Sequence, residues 1–134
     1  MNMEIELQIP KSIITAINQL YELEQKLKRH GDPGNLSRNI AKMKDAFAED
    51  GLPMGGPNGA CTRIGLEYED PMGQTFKETR TDLNATISGA GAENLMVVEV
   101  IKPIIRAVQR GDAVGFVRVV QKGVVIVESQ KESQ

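Results

Sequence analysis

Cysteine and histidine each occur once in the 134 residues, tryptophan does not occur, and the aromatics amount to two tyrosines and three phenylalanines. A lone Cys61 forms no internal disulfide, and with His30 as the sole histidine the thiolate and imidazole sets of a structural zinc site cannot be assembled. So few rings do not build a stacking platform for single-stranded nucleic acid. Sixteen Lys and Arg against eighteen Asp and Glu leave a net charge of −2, which gives no general phosphate-binding surface. No eighteen apolar residues run together, and Met1 to Glu6 has no basic leader region. The reading is a soluble, cytoplasmic chain without an export signal, without a cofactor, and with neither nucleic acid nor membrane as a partner.

What is present is ordinary for a folded domain. The hydrophobic fraction is 40%, and the 13 glycines bring it to about half. A chain of this length supports one domain, or a small domain with a helical element, and buries roughly two thirds of its extended surface.

Met3, Ile5, Leu7 and Ile9 alternate with Glu4, Glu6 and Gln8, the period of a strand with one buried face. Residues 1–10 are read as that segment, closed by Pro10. From Ile13 the period lengthens. Ile13, Ala16, Leu20, Leu23 and Leu27 form a helical seam that Ile14, Ile17 and Tyr21 widen, and Lys28, Arg29 and His30 complement the helix dipole before Gly31. After the turn residues Asp32 to Asn35, a second stripe of Leu36, Ile40, Met43 and Phe47 runs to Asp50-Gly51. Residues 11–51 therefore read as a helical hairpin. The first stripe is wider than the second helix can cover, so the expectation is a homodimeric four-helix bundle through Ile13, Ile17, Leu20, Leu23, Leu27, Ile40, Met43 and Phe47.

Residues 52–61 are rich in glycine and proline and read as a linker. Residues 62–128 read as a β domain with strands at Thr62–Tyr68, Ala85–Ile87, Leu95–Ile101, Gly115–Gln121 and Val124–Val127, and 129–134 as a polar tail. The fold class expected is α+β.

Chemistry-bearing patterns are thin. The glycine-rich stretch lacks the Gly-Lys-Ser/Thr of a phosphate loop, and Ser88 to Ala92 holds a Gly-x-Gly with no third glycine. His30 suits a helix terminus better than a general base, and Cys61 has no histidine near it in sequence. Glu67, Glu69, Asp70, Glu78 and Asp82 could supply an acid–base pair, but nothing in the sequence fixes their separation, and solvated loop charge is the plainer account. The apolar strands carry isolated cations, and Arg106, Arg118 and Lys122 are candidates for contact with a protein partner.

The order of these elements resembles the GrpE family, nucleotide-exchange co-chaperones of DnaK-type chaperones, over residues 18–128. Asn18 to Leu27 resembles the first bundle helix, and Ile40 to Pro53 the second with its terminal Gly. Gly73-Gln-Thr-Phe76 looks like the family's Gly-x-x-Phe, while Asn94 to Ile101 and Val124 to Val127 resemble its apolar strands. The family's Asp-Pro after that phenylalanine is Lys77-Glu78 here, its Gly-Tyr is Ile104-Ile105, its Pro-Ala is Lys122-Gly123, and its long N-terminal helix is absent. The connection from Arg106 to Val117 reads as longer than the family's turn. The resemblance implies a non-enzymatic chain whose β domain holds open the nucleotide lobe of a DnaK-type partner so that ADP escapes, with Ile101 and Arg118 as contacts. An adaptor of the same architecture without exchange activity is the alternative reading, and a small enzyme using loop carboxylates is a third.

Overall fold

The computed structural model describes residues 9–55, 61–110 and 117–130. The strand expected at Met3–Ile9 lies outside them except for its last residue. Helix α1 spans Lys11–His30 and α2 Leu36–Asp45. Seven strands follow: β1 Leu52–Gly55, β2 Cys61–Glu69, β3 Leu83–Ser88, β4 Leu95–Lys102, β5 Ile104–Arg110, β6 Val117–Gln121 and β7 Gly123–Ser129.

Pro10 opens α1, where a missing N–H costs nothing, and Gly31 stops it with φ +84° and its amide donating to the Leu27 carbonyl at 2.8 Å. Asp32 then accepts from the backbone amides of Leu36 and Ser37, which would otherwise be orphan donors at the start of α2. Past Asp45 the helix widens into one π turn, Ala46–Asp50, closed by the Gly51 amide on the Ala46 carbonyl.

The strands form two sheets. One is antiparallel, ordered β1-β2-β5-β6. The other is ordered β3-β7-β4, with β3 parallel and β4 antiparallel to β7. The chain changes sheet three times, through residues 70–82 between β2 and β3, at Pro103 between β4 and β5, and at Lys122 between β6 and β7. Pro103 has no N–H to give to a ladder, so the break in pairing falls there without leaving a donor unpaired.

Adjacent residues of β5 and β6 face different cores. Ile105 and Ala107, with Val120, join Ile17, Ile64 and Leu66 beneath α1. Ile104, with Val119, joins Leu83, Leu95, Val97, Val125 and Val127 of the second sheet. The four-stranded sheet thus carries α1 on one face, and from its other face Ile104 of β5 and Val119 of β6 reach into the core of the three-stranded sheet.

This corrects the expected architecture. The described residues are mostly β, with two helices preceding seven strands, and the helices do not form a hairpin bundle. The wide stripe of α1 finds its cover in the sheet: Ile17 and Leu20 are buried, and Ile13, Ile14 and Phe47 pack on the same core. Ile40 of α2 is buried, Leu27 is half-buried, and Leu23 and Met43 are exposed. The argument for dimerisation assumed that only another helix could cover α1, and that premise fails. The residues read as a linker also begin as structure, since Leu52–Gly55 pairs with Cys61–Ile64. The supposed long connection from Arg106 contains β5, the strand between β2 and β6.

Candidate functional site

An open cleft of about 320 Å³ lies between α1, the turn after β2 and the second half of β4. Its helical wall is Tyr21, Glu22, Gln25, Lys26 and Arg29, residues of one side of α1. The opposite wall is Glu99, Val100 and Ile101, and Asp70 and Met72 close one end.

Local sequence explains why apolar atoms stand out here. Pro71 to Gln74 makes a turn in which the Gln74 amide donates to the Pro71 carbonyl and Gly73 takes φ +80°, a conformation that glycine adopts freely. Pro71 is buried, while Met72, between the proline and the glycine, is thrown outward at 55% exposure. Asp70 fixes this turn by accepting from the Met72 amide at 3.0 Å, and its second oxygen accepts from Gln25 of α1 at 3.2 Å. Beyond the turn, Gly73 to Phe76 bonds to the outer edge of β4 at Leu95 and Val97. Past that cover β4 bulges twice, and Ile101 is 55% exposed.

Beneath the cleft α1 is fastened to β2 by aromatic and charged contacts. The Tyr21 and Tyr68 rings meet edge to face with centroids 6.0 Å apart. The Tyr68 hydroxyl donates to Glu24 at 3.2 Å, and Lys44 of α2 lies 3.2 Å from the same carboxylate and 4.7 Å from the Tyr68 centroid. Burial, reinforced by the Asp70 charge, pushes the Tyr21 phenol up to about 12. Burial and Glu24 raise Tyr68 as well.

Beside this region five side chains close a hydrogen-bonded ring. Gln74 donates to Glu69 at 2.7 Å, Arg80 to Gln74 at 3.0 Å, Arg80 to both oxygens of Asp82 at 2.9 Å, Arg106 to Asp82 at 3.0 Å, and Arg106 to Glu69 at 2.6 Å. The ring ties the end of β2, the 70–82 segment that leads into β3, and the middle of β5 to one another. The hydrogen bonds from Arg80 hold the Asp82 carboxyl below its usual value, and those from Gln74 and Arg106 lower Glu69. Carboxylates held ionised in this way accept hydrogen bonds and are poorly suited to donate a proton near neutrality.

The stability linkage follows from those directions. A lowered folded-state pKa gives stability that is complete above the unfolded value and is lost as the pH falls through the folded one. Asp82→Asn should therefore destabilise by about 2 kcal/mol at neutral pH, between the figures for exposed and buried pairs, since these side chains are about a fifth to a quarter exposed. The gap between mutant and wild-type melts should narrow once the pH falls below 3.8, the ordinary value for Asp. A gap that does not change with pH would assign the loss to packing and not to charge.

Of the residues expected to meet a partner, only Ile101 lines the cleft. Arg106 is a member of the ring. Arg118 is exposed on β6 opposite Ala107, and Lys122 is exposed at the corner between β6 and β7. Among the expected carboxylates, Glu69 and Asp82 belong to the ring, Asp70 to the cleft, Glu67 is exposed on β2, and Glu78 is exposed in the 70–82 segment. His30 is exposed at the last position of α1, and Cys61 is the first residue of β2. Among the described residues no group of three or more His, Cys, Asp or Glu is placed to hold a metal ion, and no helix is long and apolar enough to cross a membrane.

Sequence reasoning missed Met72, Gln25, Lys26 and Arg29 as walls of one cleft. The Pro-x-Gly spacing was a usable signal for Met72, whereas the cations of α1 had a sufficient explanation in the helix dipole. No protein-family model matches the chain, nor does any curated protein or any solved structure.

Proposed function

We propose that this chain is a non-enzymatic protein-binding module whose docking face is the cleft between α1 and β4, and that its partner is a DnaK-type chaperone from which it promotes ADP release. The observation that carries the docking face is the pair of half-exposed apolar side chains, Met72 and Ile101, in a cleft rimmed by Lys26 and Arg29 and by Glu22 and Glu99. An apolar centre inside a charged rim is the anatomy of a protein interface. The partner comes from the sequence resemblance to the GrpE family, as does Arg118 as a second contact. Exchange works by differential affinity: a chain that binds the open nucleotide lobe more tightly than the closed one shifts that equilibrium by the difference alone.

The test is release of a labelled ADP from a DnaK-type chaperone of the same organism, with and without the chain. Wild type should accelerate release. Ile101→Asp should weaken binding by about 2 kcal/mol, roughly thirtyfold, with little change in melting temperature, because Ile101 is exposed in the free protein. Acceleration that survives both Ile101→Asp and Met72→Asp would remove the cleft from the reading. Binding without acceleration would favour the adaptor alternative.

A further inference from the structure

Two sheets present four edge strands, and three of them are guarded against pairing with another chain. β1 is four residues long and contains Pro53. β6 carries Arg118. β4 is covered at Leu95 and Val97 by residues 73–76, is bulged beyond that, and carries Glu99 and Lys102. Charge, proline, bulges and cover are the devices that stop sheets from adding strands.

β3 has none of them. Leu83-Asn-Ala-Thr-Ile-Ser88 contains no charged residue and no proline, pairs with β7 in unbroken register, and among the described residues bonds to no second strand. Asn84, Thr86, Ile87 and Ser88 are exposed. Ile87 shares the face of Leu83 and Ala85 yet remains 47% exposed, because the core ends short of it.

We propose that β3 pairs antiparallel with β3 of a second copy, joining two three-stranded sheets into one of six strands across a twofold axis. A second copy is the occupant because a twofold places a strand opposite itself. At β4 or β6 that brings Glu99 or Arg118 towards its own copy, whereas β3 sets no charge against its like. The axis must stand perpendicular to the sheet, so opposed residues lie on one face and pair with like parity. Centred on Ala85, this register sets Ile87 beside Leu83 of the partner subunit and Asn84 beside Thr86 of the partner subunit. The exposed isoleucine is then covered, and the polar pair remains on the outer face.

Five paired residues span about 17 Å of edge, an interface at the small end of specific contacts, so the association should be of micromolar strength or weaker. Sedimentation velocity on the full chain from micromolar to several hundred micromolar should show a monomer passing to a dimer. Thr86→Lys places a charge on the outer face of the edge and should leave a monomer throughout at unchanged circular dichroism. Asn84→Lys serves if Thr86→Lys does not fold. A wild type that stays monomeric over the whole range overturns the proposal. So does a dimer that persists unchanged in the folded lysine variant, which would place the contact on another face such as that of Leu23 and Met43.

Discussion

Ile17→Asp is expected to leave almost no folded protein. Ile17 is 1% exposed at the centre of the core formed by α1 with Ile64, Leu66, Ile105 and Ala107. A carboxylate set among these apolar side chains would be desolvated, at a cost of several kcal/mol out of a stability of about 5–15 kcal/mol typical of a domain. The milder Ile17→Ala should lose about 2–5 kcal/mol by cavity formation and still fold. Leu23→Asp is the informative comparison, because Leu23 belongs to the same helical stripe but is 45% exposed. It should change stability by no more than about 0.5 kcal/mol. Urea titrations of the three variants decide the matter. Equal damage from Ile17→Asp and Leu23→Asp would return α1 to a helical bundle.

Gly51→Ala should be nearly as damaging, for a reason in the backbone. Gly51 turns the chain from the π turn into β1 with φ +58° and ψ −144°. A Cβ there would lie 1.9 Å from the Ile64 carbonyl oxygen and 2.9 Å from the Gly65 Cα, main-chain atoms of β2 that no rotamer change can move aside. Relief requires β1 to part from β2 or the π turn to unwind, and a loss of about 3 kcal/mol or more is expected. Gly31→Ala gives the scale. It also has a positive φ, +84°, but its added Cβ would meet nothing within 4 Å, so about 1–2 kcal/mol of conformational cost is all that should appear. Denaturation midpoints at matched slopes measure both.

The contrast between these positions and the first reading of the chain shows what a sequence makes legible. Amphipathic period and punctuation were readable: α1 ends at Gly31, α2 begins after the Asp32 turn, and β2, β4 and β7 fall within two residues of the expected spans. Strand β5 was not readable. It is covered on both faces, so Ile104-Ile105-Arg106-Ala107-Val108 shows no alternation, and Arg106 looks like a surface charge unless Glu69 and Asp82 are known to face it. The width of the α1 stripe was read correctly as a demand for cover, but periodicity states how much apolar surface a helix presents and not what meets it. A sheet assembled from strands 40 to 100 residues away in sequence supplies that cover. The cleft was half legible for the same reason: Ile101 and the Asp70-Pro71-Met72-Gly73 turn can each be picked out, while their approach to Gln25 and Arg29 depends on where α1 lies.

That position of α1 is the claim on which the cleft, the proposed docking face and the Ile17 and Leu23 predictions rest, and the two tyrosines report on it directly. Tyr21 is on α1 and Tyr68 on β2, they touch edge to face, and the chain has no other tyrosine. A phenol whose folded pKa is raised favours the protonated form, so this contribution to stability is complete below the ordinary value of 10 and is lost as the pH rises towards about 12. An alkaline titration followed by tyrosinate absorbance, with circular dichroism recorded at each pH, should show no ionisation near pH 10 while the fold persists, then both phenols ionising together at higher pH. A native protein in which either tyrosine ionises with the ordinary value of 10 would contradict the docking of α1 on the sheet.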